Sequence, residues 1–187
     1  MTYVLAIAGS PSHPSRTYSL LETAAQRLES ASIETKILSV RDLPAEVLAF
    51  GQYDSPALEE PKALLEKAAG IIISTPIYKA SYTGVLKAFL DLLPQKALVD
   101  KIVLPIATGG TIAHLLSIEY ALKPVLSELG ARHFISTVYA VDKQIQRQPD
   151  GSLRLDEEIE QRLEQSLQEL IVAIQSATTP QVLAHIS

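Results

Sequence analysis

Residues 3–17, YVLAIAGSPSHPSRT, run from a short apolar segment through a polar loop into the start of a helical pattern. Tyr3–Ala8 is apolar and partly β-branched, which is typical of a strand buried on both faces of a sheet. Gly9 and Ser10 end the apolar run, and Ser15 is a suitable N-cap for the helix that follows. A strand that leads through a loop directly into a helix is the building unit of a parallel α/β sheet.

Four further segments have strand character, and the five strands begin about thirty residues apart. Ile33–Val40 is the most polar of the four, so we expect it near a sheet edge. The other three are apolar and rich in β-branched residues. The four segments are Ile33–Val40, Gly70–Thr75, Lys101–Ala107 and His133–Val141. Helical periodicity follows Ser15 through Leu28 and recurs in Ala57–Ala69, Thr83–Leu93, Ile112–Leu129 and Asp156–Gln175. This alternation predicts a doubly wound α/β fold, with a five-stranded parallel sheet and helices on both of its faces.

Two segments interrupt the alternation. Arg41–Ser55 is a long connection, and Asp142–Leu153 contains the turn signal Pro149-Asp150-Gly151, which predicts a small hairpin. Residues 178–187 have no periodicity. We therefore expect a single domain over residues 1–177 and a loose tail after it.

The composition narrows the possible functions. The 187 residues include no Cys, which excludes thiol catalysis and thiolate metal sites, so redox chemistry would require a bound cofactor. The four His residues lack metal-ligand spacing, so we expect no metal.

Charge and hydropathy bear on partners and location. The net charge of −5 provides no basic excess for nucleic acid or an anionic membrane. No apolar run approaches the ~18 residues of a membrane span, and the N-terminus lacks the pattern of a signal peptide. We expect a soluble, cytoplasmic protein that binds neither nucleic acid nor membranes.

Three polar loops follow strands, at the edge where an open parallel sheet binds its ligands. The loop Gly9–Thr17 offers hydroxyls, an Arg and helix N–H groups that suit a phosphate, although a serine-rich capped turn also explains it. Thr75–Gly84 brings two tyrosines and a lysine that suit a flat ring, or that pack on their own helix. Thr108–Thr111 has paired glycines, which permit close approach of a ligand or form a simple turn. Because all three loops meet at one edge, a ligand site there is favoured.

Several short motifs stand at the loops and helices described above. They are Gly9-Ser10-Pro11, Ser15-Arg16, Thr75-Pro76-Ile77-Tyr78-Lys79, Leu90-Asp91-Leu92-Leu93-Pro94, Thr108-Gly109-Gly110-Thr111, Ala113-His114-Leu115-Leu116 and Tyr120-Ala121-Leu122-Lys123-Pro124-Val125-Leu126. Taken together, these motifs resemble the NADPH-dependent FMN reductases, and within them the flavin reductases of two-component alkanesulfonate monooxygenase systems. The resemblance runs from about residue 3 to residue 140. It implies a flavodoxin-like fold with strand order 2-1-3-4-5, and FMN and NADPH as cofactors.

The resemblance also implies roles for individual residues. Those expected to hold the FMN phosphate are Ser10, Ser15, Arg16 and Thr17. Those expected to border the isoalloxazine are Pro76, Ile77, Tyr78 and Lys79 on one side and Thr108, Gly109 and Gly110 on the other, and Thr75 and Thr111 are also expected to bind the cofactor. Lys79, or the backbone amides near it, would stabilise negative charge on the reduced flavin, and no protein acid or base is expected to be essential. Ser12 and His13, at the tip of the first loop, depart from the family pattern.

Pro124 lies inside the predicted helix Ile112–Leu129, where it lacks an N–H and crowds the preceding turn. The result is either a kink or a π-bulge around Tyr120. The resemblance favours the π-bulge and implies that Tyr120 lies at a tetramer interface, where it controls the release of FMN.

The function that the resemblance implies is reduction of free FMN by NADPH and delivery of the reduced flavin to a partner monooxygenase, by a homo-tetramer built as a dimer of dimers. Because the chain has no second nucleotide-binding fingerprint, the nicotinamide must share the flavin's pocket. One alternative is a reductase that retains FMN and acts on quinones, azo dyes or chromate. Another is a flavodoxin-type electron carrier, against which the lack of Trp argues.

Overall fold

The computed structural model describes residues 3–149 and 152–178. The strands are β1 Val4–Ala8, β2 Thr35–Ser39, β3 Gly70–Pro76, β4 Ile102–Gly109, β5 His133–Phe134, β6 Val138–Val141, β7 Ile145–Arg147 and β8 Leu153–Leu155. The α-helices are α1 Arg16–Ser30, α2 Ala45–Ala49, α3 Glu59–Lys67, α4 Gly84–Asp91, α5 Lys123–Glu128 and α6 Glu157–Thr178. Shorter 3₁₀ turns cover Val40–Asp42, Pro56–Leu58, Ile112–His114 and Asp142–Gln144, and a π-helix covers Ile118–Leu122.

The main sheet is parallel and has the order β2-β1-β3-β4-β5, with β6 also paired to β4. This confirms the predicted flavodoxin-like strand order. Strands β7 and β8 form a separate antiparallel pair, which confirms the predicted hairpin. Asp150 and Gly151, from its turn signal, lie outside the described residues.

The sheet separates two apolar cores, because alternate side chains of each strand point to opposite faces. Val4, Ala6 and Ala8 of β1 pack on one face with the apolar sides of α1 and α6. Leu5 and Ile7 pack on the other face, where α3, α4 and α5 lie. The central strands β1, β3 and β4 are buried along their whole length, whereas β2 is half exposed, as its polar sequence predicts for an edge.

The prediction of one continuous fifth strand over His133–Val141 is wrong, because the structure divides this segment into the two strands β5 and β6. Between the paired ends, Leu104 and Pro105 of β4 face three residues, 135–137, of the edge. Pro105 has no N–H to donate to that edge, so the ladder breaks opposite it and the extra residue forms a bulge. The hydroxyl of Thr137 in this bulge is buried without a hydrogen-bond partner among the described residues.

The predicted helix Ile112–Leu129 is also wrong as one continuous helix. The segment consists of a 3₁₀ turn, a π-helix around Tyr120 and the short helix α5. Pro124 lies in the first turn of α5, where its missing N–H costs nothing, and the N–H of Lys123 bonds to the carbonyl of Ile118, five residues back. The π-bulge is therefore confirmed, and the simple kink is excluded.

Other segments differ from prediction in detail. The connection 41–55 contains the short helix α2, and the segment Ala57–Ala69 is a 3₁₀ turn followed by α3. Helix α6 extends to Thr178, and residues 179–187 of the predicted tail lie outside the described part of the chain. No helix within residues 3–149 and 152–178 combines the length and hydropathy that crossing a membrane requires.

Candidate active site

The first loop of the site connects β1 to α1. The Oγ of Ser15 accepts a hydrogen bond from the N–H of Tyr18 at 3.2 Å, which confirms the predicted N-cap. Ser10 is buried, and its Oγ accepts from the N–H of Ser12 at 3.3 Å. The N–H groups of Arg16 and Thr17 belong to the first turn of α1, which supplies no internal partner for them. A positive helix end with free N–H groups can therefore hold an anion here.

Arg16 adds a full positive charge to this helix end. Its side chain is exposed and has no ion-pair or hydrogen-bond partner among the described residues. A guanidinium that the fold does not use remains available for a phosphate group.

Thr17 points toward the sheet and not toward the loop. Its Oγ1 lies 2.5 Å from the Oγ1 of Thr108 at the end of β4, and both residues are buried. The Oγ of Ser74 in β3 donates to the carbonyl of Thr17 at 3.3 Å. These bonds fix the start of α1 to two strands, so the hydroxyl of Thr17 serves first to position the helix end.

The second loop begins at the end of β3. The hydroxyl of Thr75 is buried and accepts from the N–H of Thr83 at 3.2 Å. Thr83 in turn donates from its Oγ1 to the carbonyl of Gly9 at 2.5 Å. The side chains of Thr75 and Thr83 therefore tie the second loop to itself and to the first loop, instead of facing outward.

The tip of the second loop is a tight turn over Tyr78–Ser81. The N–H of Tyr78 donates to the carbonyl of Ser81 at 2.8 Å, and the reverse bond is 3.1 Å. Lys79 and Ala80, at its centre, have φ values of 51° and 63°, a conformation that costs non-glycine residues energy. Backbone strain of this kind is concentrated at functional sites, where it fixes the direction of a side chain. Tyr78 and Lys79 are exposed at this tip, while Ile77 beneath them is buried.

The third loop follows β4 and lies beside the second. The N–H of Ile77 donates to the carbonyl of Thr108 at 2.8 Å, which joins the two loops directly. Gly109 is buried, whereas Gly110 is exposed and a Cβ built on it would meet no atom within 4 Å. The surface at Gly110 is therefore open to a ligand, as the paired glycines predict. Thr111 accepts from the N–H of Ala113 at 3.3 Å and begins the following 3₁₀ turn.

The three loops thus meet at the carboxyl edge of β1, β3 and β4 and are linked by hydrogen bonds. All of the residues predicted to bind the cofactor lie at this edge, whereas Tyr120 lies beyond it in the π-helix. They differ in exposure, since Arg16, Tyr78, Lys79, Gly110 and Thr111 are exposed and the others are buried. Sequence reasoning missed Thr83, whose contact with Gly9 spans 74 positions along the chain. It also missed Tyr139 of β6, whose hydroxyl donates to the carbonyl of Thr111 at 2.7 Å.

A cavity of about 700 Å³ lies at the opposite, amino edge of the sheet, with Lys101 and Arg132 in its lining. Lys101 already donates to the carbonyls of Glu66 and Ala68, at 2.6 Å each, and burial lowers its pKa. Arg132 donates to the carbonyls of Ser127 and Ala131. The two cations serve the fold there, so we do not assign this cavity to the site. Within the described residues, no group of three His, Asp or Glu side chains could hold a metal ion.

Comparison with known proteins agrees with the geometry. A sequence model described as NADPH-dependent FMN reductase matches residues 2–146. The chain belongs to the NADPH-dependent FMN reductase family. It is 46% identical to an FMN reductase (NADPH) of Pseudomonas putida strain KT2440, over 95% of this chain and 90% of the relative. It is also 46% identical to an FMN reductase (NADPH) of Escherichia coli strain K12, over 84% of this chain and 86% of that protein.

A solved structure of similar shape is the apo form of an NADH:FMN oxidoreductase, EMOB. It has a TM-score of 0.83 and 35% sequence identity, and the match covers 97% of this chain and 92% of that one. The reductase described here is therefore an oxidoreductase whose substrates or cofactors are FMN and NADPH.

The site residues fit FMN in two respects. The free N–H groups at the start of α1, together with the unpartnered Arg16, suit a phosphate. The open surface between the Tyr78–Ser81 turn and Gly110 suits a flat ring.

Proposed function

We propose that this reductase reduces free FMN with NADPH and releases the product to a separate, flavin-dependent monooxygenase of the sulfonate or sulfur assimilation type. The observation that carries the proposal is the π-helix, in which Tyr120 is 79% exposed. This insertion begins seven positions after Thr111, so it lies directly beyond the third loop of the site. A cytoplasmic location is part of the same proposal.

The chain's own residues would bind and orient the flavin. Arg16 and the N–H groups at the start of α1 would hold the phosphate of FMN, with Ser10 and Ser15 shaping the loop around it. The turn carrying Tyr78 and Lys79 would border one side of the ring, and Gly109–Thr111 the other. The chemistry that bound FMN would supply is that of an acceptor for the hydride of NADPH. The protein's part is to orient the two rings against each other and exclude water.

An exposed apolar face supports assembly of the reductase into a tetramer. Four apolar side chains between the third loop and α5 are exposed, namely Ile112 (62%), Leu115 (37%), Leu116 (57%) and Tyr120 (79%). A group of exposed large apolar side chains marks an interaction surface in an otherwise well-packed protein. We therefore assign this face to the contact between dimers, which would place a partner's residues beside the flavin.

The π-helix provides a structural link between assembly of the tetramer and release of the flavin. Ile118 and Leu122 hold the insertion to the core, and the ion pair between Lys123 and Glu119, at 2.6 Å, spans its outer side. Tyr120 therefore projects away from the core at a fixed place. Its removal would let the segment revert toward an α-helix and change the wall of the site.

A reductase that retains FMN and passes electrons to quinones, azo dyes or chromate is the remaining alternative. The three loops would serve either enzyme, and only the fate of the flavin separates the two. Membership in a family of reductases argues against the electron carrier.

Deletion of Tyr120, or Tyr120→Ala, tests the proposal. We expect the variant to purify with bound FMN and to transfer less flavin, whereas the wild type purifies without it. Tyr53→Ala is the control, because Tyr53 is 72% exposed on another part of the surface. If the Tyr120 variants purify colourless and transfer flavin normally, the proposed role of the π-helix is wrong.

A further inference from the structure

Tyr139 lies beneath the third loop, although sequence motifs place it outside the site. It is the second residue of β6, pairs with Ala107 of β4 and is 2% exposed. Its hydroxyl donates to the carbonyl of Thr111 at 2.7 Å. Burial raises the pKa of Tyr139, so the hydroxyl remains protonated and able to donate at neutral pH.

Gly109 makes room for this hydroxyl. A Cβ built on Gly109 would overlap the hydroxyl oxygen of Tyr139 and would lie 3.2 Å from its Cζ. The backbone φ of Gly109 is not in the left-handed region, so conformation does not require glycine there. The absence of a side chain at Gly109 is thus explained by the tyrosine that supports the loop from below.

Tyr139 also shares an apolar cluster with residues from other parts of the site. It belongs to a small apolar cluster with Ile77, Ala107, Ile118 and Val141. Ile77 lies in the second loop, and Ile118 is the first residue of the π-helix. This cluster therefore joins the second loop, Tyr139 beneath the third loop, and the insertion that carries Tyr120.

We propose that Tyr139 is the positioning residue of the third loop, and that its hydroxyl sets the place of Gly109–Thr111 against the flavin ring. The inference rests on the proposed function, because it concerns the same FMN site. Without the hydroxyl, the carbonyl of Thr111 loses its anchor and the loop must be ordered by FMN itself. Loss of this anchor therefore weakens the binding of FMN but leaves the rate of hydride transfer nearly unchanged.

Tyr139→Phe tests this, with Tyr3→Phe as the matched control. Tyr3 is also a buried tyrosine that donates to a backbone carbonyl, that of Leu64 at 2.5 Å, but it lies at the amino end of β1. Loss of one such hydrogen bond corresponds to about a fivefold change in an equilibrium constant. We expect Tyr139→Phe to raise the Kd for FMN, measured by quenching of flavin fluorescence, by about fivefold. The KM for FMN should rise in parallel, with kcat nearly unchanged.

The control separates positioning from general stability. Both variants should lose similar stability in urea, but Tyr3→Phe should bind FMN like the wild type. Equal FMN affinity in the two variants would overturn the role of Tyr139. If the wild type itself neither binds FMN nor oxidises NADPH in its presence, the proposed function fails, which is a different result.

If Tyr139→Phe does not fold, Gly109→Ala alone tests the contact, and if it folds, a double variant adds a further test. Gly109→Ala should weaken FMN binding, because its methyl group displaces the hydroxyl of Tyr139. The double variant Gly109→Ala/Tyr139→Phe should bind FMN more tightly than Gly109→Ala alone, since the methyl group then occupies the space that the hydroxyl leaves. If the second substitution weakens binding further, the proposed contact does not position the loop.

Discussion

Thr83 holds two loops of the site with one hydroxyl group. Its Oγ1 donates to the carbonyl of Gly9 and accepts from the N–H of Leu86, and the residue is 1% exposed. It is therefore both the N-cap of α4 and the anchor of the first loop. A hydroxyl that does both is needed at this position, so serine is the only conservative replacement.

We expect Thr83→Val to lower the free energy of unfolding by about 1–3 kcal/mol, because a cap is lost and a buried carbonyl loses its donor. Thr83→Ser keeps the hydroxyl and should recover most of that loss. Urea denaturation of the two variants measures the difference. A valine variant as stable as the wild type would show that the hydroxyl contributes nothing.

Lys79 projects from a turn whose geometry is held by two backbone hydrogen bonds, and its side chain has no partner among the described residues. We expect Lys79→Ala to weaken FMN binding and to slow NADPH turnover, since the variant lacks a positive charge beside the ring. Lys96→Ala is the control, because Lys96 is exposed at the amino edge of the sheet. Unchanged FMN affinity and turnover in Lys79→Ala would remove the proposed electrostatic role.

Helix α6 closes the break in the edge strand. The carboxylate of Glu169 accepts a hydrogen bond from the N–H of Ser136 at 3.2 Å. The hydroxyl of Ser166 donates to the carbonyl of Ser136 at 2.8 Å. Hydrogen bonds from Ser136 lower the pKa of Glu169, and a hydrogen bond from Gln165 lowers it further. The helix thus satisfies backbone groups that the interrupted ladder leaves unpaired.

This contact predicts a pH dependence of stability. Because the folded-state pKa of Glu169 is lowered, its contribution is present above the unfolded pKa of about 4.3 and is lost as the pH falls through the folded value. Wild type should therefore be more stable than Glu169→Gln at pH 7, and the two should converge in acid. Urea denaturation at several pH values measures this, and a difference independent of pH would contradict it.

The elements differ in how far the sequence predicts them. The buried strands follow from their β-branched runs, and the π-helix follows from Pro124 together with the family resemblance. The break between β5 and β6 also has a sequence cause, Pro105. The residues opposite Pro105 depend on the register of two distant strands, and so the break could not be predicted from the sequence.

The same limit applies to the site. Its loops were predictable because the carboxyl ends of parallel strands meet at one edge. The contact of Thr83 with Gly9, and that of Tyr139 with Gly109 and Thr111, join residues that only the folded sheet brings together. A glycine in a loop suggests room for a ligand, whereas the structure shows that Gly109 makes room for a side chain.

Across the whole molecule, two cations at the amino edge of the sheet and two at the carboxyl edge differ in their hydrogen bonding. At the amino edge, Lys101 and Arg132 are bonded to backbone carbonyls. At the carboxyl edge, Arg16 and Lys79 have no partner among the described residues. Arg16 and Lys79 are thus available for the anionic groups that would bind at the carboxyl edge.

We propose that this reductase acts on free FMN and releases it after reduction. The most direct measurement follows the absorbance of NADPH with the purified protein alone, with added FMN, and with a quinone in place of FMN. We predict a colourless protein that oxidises NADPH when FMN is added and not with quinone alone. A yellow protein that oxidises NADPH with quinone, without added FMN, would contradict the account.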